Sequence, residues 1–255
     1  MITSLAKRTL RTAERRLNKV GYQLRWLPPS FQKPNAQLQM NLEYVVAHFM
    51  LFKPTVFFVQ IGANDGRAND PLNRFVMRFN WHGILLEPLP EVFDALKQTY
   101  ARQPHLHLLN AALADKDGSQ TIYTVRMDES TFKKAHQFSS FRKDAVLSQT
   151  NWIPDVAQRI EERPVRCVCF DTLLQYAGQN EIDLLQIDAE GYDYTILKMI
   201  DFSRLKPAII NYECGLMDKD QREEIAVLLI KQGYKMSQGD MDGLAYRPPG
   251  TFDFH

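Results

Sequence analysis

The sequence predicts an α/β fold in which a doubly wound, mostly parallel β-sheet follows an N-terminal helical extension. Three observations predict it. Apolar runs of strand length, Thr55–Ile61, Gly83–Leu86 and Ile182–Asp188, are rich in Val, Ile, Leu and Phe, as strands covered on both faces are. Between such runs lie segments with apolar residues at helical spacing, for instance Leu72, Phe75, Val76 and Phe79. The runs end in glycine turns or acids rather than in further apolar sequence.

Taken in order, residues 3–20 read as a helix closed by Gly21, with Leu5, Ala13, Leu17 and Val20 on one stripe and arginines around the rest. Trp26 to Pro34 reads as a linker. Leu38, Leu42, Val45, Val46, Phe49 and Met50 predict a helix over 36–51. Strand 55–61 stops in Gly62-Ala63-Asn64-Asp65-Gly66. Asp70-Pro71 reads as N-cap and first turn of a helix, and strand 83–86 ends on Glu87-Pro88. Pro90 starts a helix to about Tyr100, and 105–113 is a third strand. Asp115 to Gly118 is a turn, and 121–125 alternates like an added strand. Residues 127–151 are polar without a period, a candidate lid. Strand 165–170 is followed by a helix capped at Asp171-Thr172 and ended near Gly178. Strand 182–188, helix 194–199, strand 207–211, helix 218–231 and short strands at 234–237 and 244–246 complete the pattern.

At 255 residues the chain fits one such domain plus an extension, divided at 1–53 and 54–255. A net charge of +1 argues against a protein dominated by nucleic-acid contacts, and none are expected. The charge is uneven: residues 1–25 hold seven basic side chains and one acid, Glu14, which predicts peripheral contact with an anionic membrane or a partner. Cys167, Cys169 and Cys214 show no disulfide or zinc spacing, as expected of a reducing, cytoplasmic compartment. No apolar run reaches transmembrane length.

Strand, glycine turn, helix, strand and acid form the outline of a site for an adenosine-bearing ligand. Glycines let backbone approach the ligand, and an acid about 20 residues on accepts hydrogen bonds from ribose hydroxyls. Glu87 lies 21 positions after Gly66. Ligands of open parallel sheets bind beyond the carboxyl ends of the strands. Those ends offer Asn64, Asp65, Glu87, Asp115, Asp188, Glu190, Asn211 and Glu213.

Val59-Gln60-Ile61-Gly62-Ala63-Asn64-Asp65-Gly66, Leu86-Glu87-Pro88 and Gln186-Ile187-Asp188-Ala189-Glu190-Gly191-Tyr192-Asp193 resemble the signature blocks of FkbM-type methyltransferases, over roughly residues 55–247. The resemblance implies the class I (Rossmann-like) methyltransferase fold, S-adenosylmethionine as cofactor, and O-methylation of a sugar, glycolipid or secondary metabolite. It implies that Gln60, Gly62, Ala63, Asn64, Asp65 and Gly66 wrap the methionine part of the cofactor. Glu87 with Pro88 would hold the ribose, and Ala111 and Ala112 the adenine, with Asp115 a further neighbour. One departure stands out: many methyltransferases of this fold carry an acid where this chain has Gln60, and Asp188 is expected to take part of that role.

An alcohol must lose its proton on methylation, so a base or a metal ion is expected. Asp188, Glu190 and Glu213, with Asn211, are the candidates, and their oxygens would also suit a divalent cation such as Mg²⁺, Ca²⁺ or Mn²⁺. Two other readings compete. A nicotinamide-dependent oxidoreductase would want G-x-G-x-x-G, which Gly62 to Gly66 does not supply. A non-catalytic Rossmann-like binding module would work at a membrane surface through residues 1–25.

Overall fold

The computed structural model describes residues 41–126, 138–178 and 181–249. The helix expected over 3–20, the linker after it and residues 127–137 of the expected lid lie outside the described residues. Two compact units divide the chain, one being Thr55–Arg247 and the other its flanking segments. In the flanking unit the described helix is Leu42–Phe52, within the expected 36–51 region but ending one residue later. Asn41 caps it by accepting from the Tyr44 amide at 2.8 Å, and Leu42, Val45, Val46 and Phe49 form its buried face. Among the described residues no helix is long and apolar enough to cross a membrane.

Among the described residues the larger unit has the strands β1 (Phe57–Ile61), β2 (His82–Leu86), β3 (Leu106–Leu109), β4 (Ala112–Leu113), β5 (Gly118–Val125), β6 (Ile160–Val168), β7 (Leu184–Ile187), β8 (Ile209–Glu213), β9 (Lys235–Gln238) and β10 (Asp242–Tyr246). Seven of them form the main sheet in the order β3-β2-β1-β7-β8-β10-β9. β1 pairs in parallel with β2 and β7, β2 with β3, and β7 with β8. β10 runs antiparallel to both β8 and β9, between which it lies. Helices Asn73–Phe79, Pro90–Thr99, Phe170–Ala177, Asp193–Met199 and Lys219–Lys231 connect the strands. The central strands are buried along nearly their whole length, which is why they read as unbroken apolar runs.

Several expectations need correction. The expected third strand over 105–113 is two strands in different sheets. β3 belongs to the main sheet, whereas β4 joins β5 and β6 in a second, three-stranded sheet that the sequence did not predict. Asn110 is the pivot, its side-chain amide donating to the carbonyls of Glu87 (2.9 Å) and Pro88 (3.0 Å). β6 starts at Ile160 rather than Val165. Its first half, Ile160-Glu161-Glu162-Arg163-Pro164, is half-exposed and polar and so has no strand signature. Asp70-Pro71 does not open a helix, which begins at Asn73; Asp70 Oδ1 nevertheless accepts from the Leu72 and Asn73 amides, as a cap would. Asp171-Thr172 is not a cap either. The helix begins at Phe170, and Asp117 ties its start by accepting from the Cys169 amide and the Thr172 hydroxyl. Within the expected lid, Lys143–Leu147 is helical and Ser140 bridges to Tyr123. Asp218 and Gln221 form a reciprocal capping box on the helix Lys219–Lys231.

Candidate functional site

The strand order reverses at β1, between β2 on one side and β7 on the other. Connections leave the two halves of such a sheet in opposite directions and open a crevice at the carboxyl ends of the strands. A cavity of about 360 Å³ lies there. It gathers Gln60, Gly62, Ala63 and Asn64 from the end of β1, Glu87 and Pro88 from β2, Ala111 and Ala112 after β3, Asp188 and Glu190 after β7, and Glu213 from β8. Asp65, Gly66, Asn211 and Asp115 are not among the lining residues.

The turn after β1 is set by one close approach. Gly62 has φ +77°, and a Cβ on it would lie 1.8 Å from the Asp188 carbonyl oxygen. Only glycine lets β1 and β7 end side by side. The Gly62 and Ala63 amides both donate to the Leu86 carbonyl, at 3.1 and 2.8 Å. The Asn64 amide donates to Glu87 Oε2 at 3.0 Å, and the Leu89 amide to Glu87 Oε1 at 2.9 Å, so one carboxyl group joins two turns. Burial pushes Glu87 up to about 7, against those two hydrogen bonds. Asp65 serves the turn rather than the cavity, its Oδ1 accepting from the Arg67 and Ala68 amides. Gly66 packs on the Tyr100 ring.

The opposite wall is a rim of carboxylates. Glu190 (φ +49°) and Gly191 (φ +92°) are consecutive left-handed residues, an unfavourable conformation for a glutamate. Fully buried Asp193 holds it in place: its Oδ2 accepts from the Ala189 and Gly191 amides, both at 3.2 Å, and its Oδ1 accepts from the Glu213 amide at 3.3 Å. Asp193 thus fastens the end of β7 to the end of β8. Burial, then the charge of Asp188, lifts it to about 7. Asp188 is open to the cavity yet hemmed in by protein; desolvation, with the charges of Asp242 and Asp70, raises it to about 6. Glu213 is raised to about 8 by burial and by Asp188, Asp193 and Asp242, and its buried Oε2 has no hydrogen-bond partner. Glu190 is raised by burial and by Glu213, Asp188 and Asp193. Among the described residues no three acids, histidines or cysteines are arranged to hold a metal ion. Asn211 lies behind this wall, donating to Gln186 Oε1 at 2.7 Å.

The mouth is aromatic. Phe138, Phe141, Trp152 and Tyr192 line it together with Ser139, Ser140, Gln149 and Met241. Trp152 is 62% exposed, and Phe141 meets Tyr192 edge-on at 5.0 Å. Ser139 shares a hydrogen bond with Thr124, and Ser140 Oγ accepts from the Arg142 amide. Arg142 in turn donates to the Gly191 carbonyl at 3.4 Å. Asp115 lies instead on a second hollow with Cys169, Asp171 and Arg204. Sequence reasoning missed Asp70, Asp193, Gln186 and Trp152. Gln186 and Asp193 stand at the two ends of a quoted motif and Asp70 reads as a cap, whereas Trp152 carries no signal of its own.

Residues 60–236 match the methyltransferase FkbM domain family, more than half of the chain. The chain belongs to that family. Its sheet, in the order β3-β2-β1-β7-β8-β10-β9 with β10 reversed, is the class I, Rossmann-like methyltransferase fold. A methyltransferase FkbM from Methylobacillus flagellatus KT is 11% identical, with a TM-score of 0.47, over 75% of this chain and 44% of that longer one. A precorrin-6y C5,15-methyltransferase from Geobacter metallireducens GS-15 is 12% identical, with a TM-score of 0.40, over 83% of this chain and 92% of its own. A ribosomal protein L11 methylase from Lactobacillus delbrueckii subsp. bulgaricus is 10% identical, with a TM-score of 0.37, over 79% and 77%. No curated protein sequence matches the chain.

Proposed function

We propose that this FkbM methyltransferase domain uses S-adenosylmethionine to methylate a hydroxyl oxygen of a sugar, glycolipid or secondary metabolite. One observation carries the reading: the glycine turn with Glu87 and the carboxylates Asp188, Glu190 and Glu213 share a single cavity. The residues fit the donor. Gly62 lets the turn after β1 run against the Asp188 carbonyl at the cavity, and the buried Oε1 of Gln60, on the cavity wall, has no partner. Gln60, Gly62 to Asn64 and Asp188 would hold the amino-acid part, Glu87 and Pro88 the ribose, and Ala111 and Ala112 the adenine. When bound, S-adenosylmethionine supplies an already activated methyl group.

The chain's own residues then have three tasks. Backbone turns align the donor, and the aromatic mouth seats the acceptor and excludes water. A carboxylate takes the hydroxyl proton. Glu213 suits this, because its raised pKa of about 8 makes it a stronger base than an ordinary carboxylate while leaving part of it ionised near neutral pH. Glu190 and Asp188 stand beside it to accept or relay the proton. Titration calorimetry with S-adenosylhomocysteine and with NAD⁺ tests the donor: binding of the first and not the second is expected, and binding of NAD⁺ alone would overturn the reading. Mass spectrometry of glycans, lipids and metabolites from cells with and without the active chain tests the acceptor, which should differ by one methyl group.

A further inference from the structure

We propose that Asp70, held by the Leu72 and Asn73 amides and the Tyr100 hydroxyl beside Gln60, supplies the negative charge that grips the ammonium group of the donor's amino-acid end. The proposal rests on the S-adenosylmethionine reading above and says which side chain replaces the acid that position 60 lacks.

Gln60 is 2% exposed on β1, and its Oε1 is a buried acceptor with no partner. Buried amide oxygens rarely remain so, because desolvation without a hydrogen bond is costly. This one lines the cavity, so a donor group held in the cavity would satisfy it. The Gln60 side chain neighbours Asp70: burial pushes the Asp70 carboxyl up, and the Gln60 amide is among the groups that pull it back down. Asp70 lines the same cavity. Its Oδ1 accepts from the amides of Leu72 (2.7 Å) and Asn73 (3.1 Å), and its Oδ2 from the Tyr100 hydroxyl (3.1 Å). These bonds hold the carboxylate in one orientation next to an open amide oxygen, two acceptors poised for one cationic donor. Among the described residues every charged side chain on the cavity wall, Asp70, Glu87, Asp188, Glu190 and Glu213, is an acid. Such a wall selects a cation. Asp188 lies near enough for the charge of Asp70 to act on it, and with Gln60 it lines the same cavity, so the two acids would face the amino-acid end together.

The test is calorimetric binding of two probes: S-adenosylhomocysteine, which carries the ammonium group, and 5′-methylthioadenosine, which lacks the amino-acid end. Asp70→Asn keeps an oxygen to cap Leu72 and Asn73 but removes the charge. It is expected to weaken S-adenosylhomocysteine at least about tenfold, as loss of a charge-assisted hydrogen bond does, and to leave 5′-methylthioadenosine within about twofold. The exchange Q60E with D70N moves the charge back onto β1 and is expected to recover most of the loss. Equal weakening of both probes, unchanged S-adenosylhomocysteine binding, or no recovery in the exchange would overturn the assignment of Asp70. Failure of the unaltered chain to bind either probe would instead bring down the cofactor reading itself.

Discussion

Gly62 shows how much one residue decides here. Its positive φ and the Asp188 carbonyl, 1.8 Å from where a Cβ would sit, leave no room for a side chain. Gly62→Ala is expected to cost roughly 3 kcal/mol or more, since β1 or β7 must shift to relieve backbone overlap; urea unfolding would measure it, and a loss under about 1 kcal/mol would contradict it. Glu213 bears on the proposed chemistry instead. If it is the proton acceptor, Glu213→Gln is expected to lower turnover by about 10²–10⁴. S-adenosylhomocysteine binding, followed by calorimetry, should stay within about threefold, because the cofactor residues are untouched. These residues were legible before the fold was known, because glycines and acids in a spaced order carry chemical meaning by type. Asp70 was not, since an Asp before Pro reads as a cap by local rules, and only the fold reveals that Gln60 and Tyr100 share it.

Between elements, Asp193 is the fastener. It sits at the start of the helix Asp193–Met199 and binds amides on two neighbouring strand ends, so the Glu190 turn and Glu213 keep a fixed spacing. Asp193→Ala leaves three inward amides without their acceptor. The expected cost is about 2–4 kcal/mol by chemical denaturation, with faster hydrogen exchange at Ala189, Gly191 and Glu213 and slow exchange retained in β1. Unchanged exchange at those three amides would assign Asp193 no such role. The central strands were legible because burial on both faces makes them apolar throughout. The second sheet was hidden for the opposite reason. Parts of it read as separate short strands, at 121–125 and 165–170, but the first half of β6 is half-exposed and charged and contains Pro164, so it resembles a loop and its pairing with β5 leaves no apolar signature. The split of 105–113 was equally invisible, because the turn at Asn110 is held by distant carbonyls rather than by a local turn sequence.

Across the whole molecule, carboxyl groups at the ends of β2, β7 and β8 and at the helix start Asp193 gather around one crevice, and each is more easily protonated than usual. Asp188 is raised to about 6, Glu87 and Asp193 to about 7, and Glu213 to about 8. Folding therefore takes up protons. The contribution of these groups to stability is complete below the unfolded carboxylate range and is lost as pH rises through the folded values. The melting temperature of the ligand-free protein is expected to fall between about pH 5 and about pH 9, with a smaller drop in Glu213→Gln; a rise over that range would contradict the raised values. On the proposed mechanism catalysis has the opposite slope, rising as Glu213 ionises, so activity and robustness are expected to peak at different pH. The place of β10 adds a consequence for biogenesis. It follows β8 and β9 in the chain yet lies between them, so as the polypeptide emerges from the ribosome the edge of β8, which carries Glu213, must wait exposed. Nascent chains halted before Asp242 present β8 as a bare edge, which is open to clumping and to quality-control proteases.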